Sequence, residues 1–261
     1  MADMSVTPIL RLAGIELSRI GLGTNRLAKT PEHVEFVRQA VAAGLRHIDS
    51  AHTYAGGQSE ETIGEALAPI PDDCVVATKG GWGAGNGRAE LLRAQIEESL
   101  RRLRTDSIVL YYLHRVDPET PLEESLGAIN EYREKGKIQH VGLSEVGIEQ
   151  IEQARRVVPI TAVQNRYNLA ERTHEEVVDY CSREGIVFVP FYPLRGGGGG
   201  PALAEIADRH NATAAQITVA WLLERAPVML PIPGTLSLEH LKENLAAREI
   251  ELSDDEFEAL R

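Results

Sequence analysis

Residues 47–54, HIDSAHTY, bring an aspartate, two histidines, a serine and a tyrosine together directly after an apolar, helix-like run. Buried ionisable groups cost several kcal/mol unless they are paired, so such a cluster needs a use. It can be a metal site, a hydrolase nucleophile, a solvated turn, or part of a site completed elsewhere in the chain. Side chains alternate along a strand, so His47 and Asp49 share a face while His52 falls in the following loop. That spacing makes a metal site the weaker reading, and no metal is expected. His47 reads as structural and His52 as solvent-exposed.

Other polar residues also end apolar runs. Lys79 follows CVVAT, His114 follows SIVLYYL, Ser144 closes IQHVGLS, and Gln164 with Asn165 closes TAVQN. A tyrosine of ordinary pKa near 10 donates protons poorly at neutral pH. A neighbouring ammonium favours the tyrosinate, and a carboxylate keeps that ammonium charged and in place. Asp49, Lys79 and Tyr54 thus predict a tuned general acid, with His114 orienting a carbonyl oxygen or assisting the proton transfer. Such an acid becomes useful beside a hydride donor.

The elements that must position these residues alternate along the chain. Strand candidates are RIGLG (19–23), RHID (46–49), CVVATK (74–79), SIVLYYLH (107–114), IQHVGLS (138–144), TAVQN (161–165), IVFVPF (186–191) and VMLPIP (228–233). Several are apolar at consecutive positions, as in parallel strands covered on both faces. The helix after Thr30 opens with an N-cap and Pro31 and closes at Gly44. The next signature is a capping box, Thr120 with Glu123, on a helix ending at Gly136. Further helices are expected at 88–103, 147–157, 174–184, 202–225, 238–246 and 254–260, the last with a Ser253/Glu256 capping box. Eight strand–helix units without a linker predict one (β/α)8 barrel domain over 1–261. ILRLAGIELS (9–18) predicts a hairpin around Ala13-Gly14 that plugs the N-terminal end of the barrel. A doubly wound sheet fits less well, because GLGTNRL lacks the third glycine of a dinucleotide-binding turn.

The 261 residues carry 43% hydrophobic and 25% charged residues and a formal net charge of −12. That balance argues against nucleic-acid binding, since no basic stripe offsets the field. No run is long enough to span a membrane and the start shows no leader pattern. The two cysteines, Cys74 and Cys181, read as buried thiols. A cytoplasmic protein is expected.

Taken in order, Asp49, Tyr54, Lys79 and His114 resemble the catalytic tetrad of the aldo-keto reductases. The likeness runs through RIGLGTNRL, GLRHIDSAHTYAGGQSEETIGEAL, VVATKGGW, LYYLH, GKIQHVGLSEV, VQNRYN, VPFYPL and PIPGTLSLEHLKENL. The resemblance implies a barrel holding NADPH, or alternatively NADH, in extended form. It implies Tyr54 as proton donor, Lys79 and Asp49 as its tuners, and His114 at the oxyanion site. It implies Ser144 and Gln164 at the nicotinamide carboxamide, Phe191 stacked on the ring, and Leu194 and Gly196 in a loop over the pyrophosphate. Thr24 falls among the cofactor contacts. Thr235, His240, Glu243 and Asn244 fall in the adenosine segment, where Ser237 caps a helix facing phosphate.

Asn25, Trp82, Arg115 and Tyr192 are expected to line the substrate pocket. Three departures stand out. Glu145 replaces a common asparagine, Gly234 and His240 occupy positions that often supply basic residues, and the chain ends soon after its last helix, which predicts an open pocket. The implied activity is reduction of small aldehydes or ketones, pyridoxal among them, by a monomer. A cofactor-sensing binding subunit and a Schiff-base lyase acting through Lys79 are the competing readings.

Overall fold

In the computed structural model, which describes residues 10–261 apart from Ala13 and Gly197, seven parallel strands follow one another round a curled sheet in chain order. The chain opens with a hairpin, β1 (Leu10–Leu12) against β2 (Ile15–Leu17), whose predicted turn residue Ala13 lies outside the described residues. The sheet then comprises β3 (Leu22–Gly23), β4 (His47–Asp49), β5 (Val75–Gly80), β6 (Ile108–Leu113), β7 (Ile138–Ser144), β8 (Ile160–Gln164) and β9 (Val187–Phe188). Outside it pack α1 (Pro31–Ala42), α2 (Gln58–Leu67), α3 (Ala89–Leu103), α4 (Leu122–Glu134), α5 (Ile148–Arg155) and α6 (Glu175–Glu184). Helices α7 (Gly200–Arg209), α8 (Ala214–Arg225), α9 (Leu238–Ala246) and α10 (Asp254–Ala259) complete the chain.

The eighth predicted strand, 228–233, is extended but forms only a bridge at Phe188–Met229. Its sequence explains why: Pro231 and Pro233 have no N–H to donate. Their carbonyls still accept from the N–H groups of Gly21 (2.9 Å) and Gly23 (3.4 Å). On its other side Phe188 donates to the Val228 carbonyl, and Leu230 donates back to that of Phe188, both at 2.9 Å. This segment therefore bonds to both β3 and β9 and closes the barrel.

Alternation along the strands separates two cores. Val76, Tyr111, Leu113, Val141, Leu143, Val163 and Phe188 face the helices. Val75, Ala77, Leu110, Tyr112, Ala162, Val187, Val189, Leu230 and Ile232 fill the barrel, joined by Leu12 and Leu17 of the hairpin. The hairpin is thus the predicted plug, seated by two leucines that are 0% and 1% exposed. Gly142 makes room in this interior, because a β-carbon there would lie 2.4 Å from the Tyr112 ring. Lys79 continues the face of Val75 and Ala77, and His114 that of Leu110 and Tyr112. The inward face, His47 excepted, is apolar towards the plugged end and turns polar where the strands end.

Local signals were mostly met. Thr30, Thr213, Ser237 and Ser253 cap their helices with side-chain oxygens. The expected helix over 202–225 is two helices, because Asn211 is left-handed (φ +48°) and the Thr213/Gln216 capping box starts α8 afresh. The expected Thr120/Glu123 box is absent, since Thr120 instead donates to Asp117 Oδ2 at 2.7 Å. The strand over 19–23 is shortened to Leu22–Gly23, with Arg19 in left-handed backbone at φ +53°. Among the described residues no helix is long and apolar enough to cross a membrane.

Candidate active site

Strand register brings the ends of β4 to β8 together. Asp49 lies opposite Ala77, Lys79 opposite Tyr112, and Ser144 opposite Gln164. The Lys79 ammonium, fully buried, donates to Asp49 Oδ1 and the Ser50 carbonyl at 2.6 Å each, and to Tyr54 Oη at 3.4 Å. All three of its N–H bonds are thereby used. Asp49 Oδ2 accepts from Gln164 Nε2 at 2.8 Å, a link between residues 115 positions apart. The His114 ring stands edge-on to Tyr54 with centroids 6.0 Å apart, and Trp82 covers it at 4.5 Å. The four predicted catalytic residues form one cluster.

Electrostatics correct one expectation. Burial pushes the Tyr54 hydroxyl above its ordinary pKa, and Lys79 only partly opposes this. Desolvation outweighs the ammonium because Lys79 is itself neutralised by Asp49 at contact distance. Burial would lower the Lys79 ammonium, but Asp49 and Tyr54 reverse that and hold it charged. Burial, followed by Lys79 and Arg115, drives His114 down to about 2, so its ring is neutral at pH 7.

Tyr54 is placed by a loop that the sequence did not fully disclose. The His52 N–H donates to the Lys79 carbonyl at 2.9 Å, and Tyr54 begins a 3-10 turn, Tyr54–Gly57. Behind the turn, Arg102 Nη1 donates to the His52 carbonyl (3.0 Å) and pairs with Glu60 (3.3 Å). Glu60, fully buried, also accepts from Thr78 at 2.6 Å. A β-carbon at Gly57 would fall 2.3 Å from the Arg102 guanidinium, so the close approach of loop and arginine requires glycine. His52 is not solvent-exposed as expected, because Arg102 from α3 covers it. No local motif links residues 52, 60 and 102. Only the amphipathic face of α3 hints that Arg102 points inward.

Ser50, Ser59 and Thr24 form a second unpredicted feature, a buried hydroxyl chain. Thr24 donates to the Asp49 carbonyl at 2.8 Å, so its own oxygen must accept from Ser59 (2.7 Å), which accepts from Ser50 (2.8 Å). Thr24, expected at the cofactor, has its hydroxyl committed to this chain and is 2% exposed. Ser144 Oγ accepts from Arg115 at 3.0 Å and keeps its proton to donate. Gln164 has one N–H on Asp49 and retains its oxygen as acceptor. Glu145, left-handed at φ +58°, accepts the Arg166 backbone N–H at 2.6 Å.

The half-buried Phe191 meets Tyr192 edge-on at 5.2 Å. Leu194 is exposed and Gly196 left-handed in the loop that follows, which Asn168 ties down through the Tyr192 carbonyl. Asn25 is exposed after β3. Thr235, exposed His240, half-buried Glu243 and buried Asn244 lie just before and along α9. Arg26, overlooked in the sequence, bonds the Gly234 carbonyl beside them at 3.0 Å. His47 is fully buried with neither ring nitrogen bonded, and among the described residues no cluster of His, Cys, Asp or Glu could hold a metal.

Comparison with known proteins agrees with this fold. The sequence profile of the Aldo/keto reductase family matches residues 19–201 and 199–261. Pyridoxine 4-dehydrogenase of Escherichia coli is 35% identical over 271 residues, covering 94% of each chain. A thermostable aldo-keto reductase, solved with the inhibitor epalrestat, superposes with a TM-score of 0.90 at 34% identity, covering 97% of this chain and 98% of that one. An aldo/keto reductase of Klebsiella pneumoniae, solved with NADP and acetate, gives a TM-score of 0.87 at 29% identity over 97% and 94%. The chain belongs to the aldo/keto reductase family.

Proposed function

We propose that this protein reduces small aldehydes or ketones with NADPH, Tyr54 delivering the proton to the carbonyl oxygen. The observation that carries the reading is the arrangement Asp49–Lys79–Tyr54 at the polar end of the barrel. When bound, the reduced nicotinamide supplies a hydride to the carbonyl carbon. Tyr54 Oη accepts from Lys79, so its own proton is left for the substrate oxygen. The neutral His114 ring has one N–H, and carrying it on Nε2 lets the ring donate to that same oxygen while Nδ1 stays buried. Lys79 stabilises the tyrosinate formed by proton transfer, and Asp49 with Gln164 keeps Lys79 charged.

The residues fit the nicotinamide. Its carboxamide needs one donor and one acceptor, and the adjacent ends of β7 and β8 provide them in Ser144 and Gln164. Phe191 provides a flat apolar wall for the ring. Leu194, Gly196, Thr235, His240, Glu243 and Asn244 are the residues we assign to the remainder of the cofactor. Thr24, whose hydroxyl and N–H both donate to the Asp49 carbonyl, would support the cofactor site indirectly by holding Asp49, and Asn25, Trp82 and Tyr192 would border the substrate. Similarity to pyridoxine 4-dehydrogenase makes pyridoxal the first substrate to try.

A Schiff-base lyase is disfavoured, because an ammonium held charged by Asp49 lacks the lone pair such chemistry needs. The test is Tyr54→Phe. Its turnover of NADPH with an aldehyde panel should fall by ~10²–10⁴, while NADPH fluorescence titration shows retained binding. Near-normal turnover would remove Tyr54 from the mechanism. Cofactor binding with no turnover in the unmodified protein would favour a cofactor-sensing subunit.

A further inference from the structure

Arg115 follows His114 and lies half-buried on the indole of Trp82, 4.6 Å from its ring, with Phe191 at 5.9 Å. Its Nη1 donates to the His114 carbonyl at 2.6 Å and to Ser144 Oγ at 3.0 Å. Among the described residues, its Nε and Nη2 have no hydrogen-bond partner, and no carboxylate is within ion-pairing reach. Glu145 acts on the guanidinium from a distance, with its Oε1 taken by the Arg166 N–H. Burial accordingly pulls Arg115 below its ordinary pKa, and Tyr54 and Tyr192 are near enough to oppose that.

Two other interior cations contrast with it. Lys79 is saturated by Asp49, Ser50 and Tyr54, and Arg102 is paired with Glu60 and Glu98. Arg115 alone of these three is partly desolvated, held rigid by an aromatic face and two hydrogen bonds, and without a counter-ion in contact. A guanidinium fork in that state matches an oxyanion bidentately. Trp82, 47% exposed, covers one side of it with apolar surface that lowers the local dielectric, and the Phe191 ring stands on another.

We propose that Arg115 selects carbonyl substrates that bear an anionic group, a carboxylate or phosphate, a few bonds from the reacting carbonyl. The inference rests on the reductase reading above. It adds a substrate class, since neither an aldehyde nor a ketone as such needs a cation at that place. The proton donor and the anion reader are then neighbours, with the carbonyl at Tyr54 and the acidic group at Arg115.

The experiment compares matched substrates with NADPH: 4-carboxybenzaldehyde against 4-nitrobenzaldehyde, and succinic semialdehyde against pentanal. The nitro group mimics the carboxylate in shape and activates the carbonyl more strongly, so intrinsic reactivity opposes the expected result. In the unmodified protein kcat/KM should favour the anion by about 100-fold, mainly through KM. In Arg115→Gln that ratio should fall towards unity, and Arg115→Lys, charged but without the fork, should lie between. The unmodified protein needs no variant to fold, so its ratio alone decides the first point. Reduction of the neutral aldehydes without preference for either anion overturns the role of Arg115 and leaves the reductase intact. A preference that persists in Arg115→Gln also overturns it. If none of the four substrates oxidises NADPH, the reductase reading falls and this inference with it.

Discussion

Two buried cations stand at opposite ends of the barrel and differ in what surrounds them. At the plugged end Arg19, 1% exposed, donates to the carbonyls of Leu223 (2.7 Å), Ala226 (2.5 Å) and Met229 (3.4 Å). It ties the end of α8 and the closing segment to the chain just before β3. Burial lowers its pKa to about 10, so it remains charged. At the open end Lys79, 0% exposed, spends its bonds on a carboxylate, a carbonyl and a phenol. Both are desolvated and both are satisfied. Lys79 has a phenol among its partners, a group that can exchange a proton with a ligand. Burial of a charge therefore marks neither structure nor chemistry until its partners are known.

That contrast can be broken by paired substitutions. Lys79→Met should cost about 3–5 kcal/mol of stability, because it strands the Asp49 carboxylate in the interior. It should also lower turnover at least ~100-fold. Arg19→Met should cost about 1–3 kcal/mol by leaving its carbonyl acceptors short of donors. Turnover per folded molecule should then stay within about twofold, the two sites being remote from one another. Denaturant midpoints and single-temperature kinetics on both variants decide this. Equal loss of turnover in the two would erase the distinction.

A smaller effect concerns acid. The His47 and His114 rings have folded pKa values lowered from 6.5 to about 4 and about 2, both by burial first. The unfolded chain therefore takes up protons before the folded one does. The stability they contribute is whole above pH ~6.5 and is lost as pH falls, on the order of 1 kcal/mol per pH unit for each ring down to pH ~4. Unfolding midpoints should drop between pH 7 and 5, and His47→Leu should remove about half of the slope. A flat profile over that range would show that the rings are not held neutral. The smallest effect is cofactor choice. Exposed His240 and Lys242 predict a KM for NADPH about three- to fivefold below that for NADH. Equal values would mean that Gly234 and His240 give no phosphate selectivity.

The four residues proposed as catalytic were legible as a cluster because each stands at or just beyond the end of an apolar strand, where a polar residue is conspicuous. Eight strand positions were legible too, although Pro231 and Pro233 keep the last from forming a regular ladder. The Thr120 cap misled because Asp117, three residues away, competes for the same hydroxyl and holds it in the loop. The unbroken helix over 202–225 misled because apolar spacing persists through the left-handed turn at Asn211.

The sequence by itself determined the alternation of strand and helix, the plugged and open ends, and the residue types gathered at the open end. These follow from periodicity and from local caps, which act over a few residues. Tertiary structure alone decided that Gln164 holds Asp49, that Arg102 and Glu60 brace the Tyr54 loop, and that among the described residues no acid contacts Arg115. It also decided the direction of the Tyr54 shift. Each depends on which groups meet across the barrel and how much water they lose there, and no stretch of sequence encodes that distance.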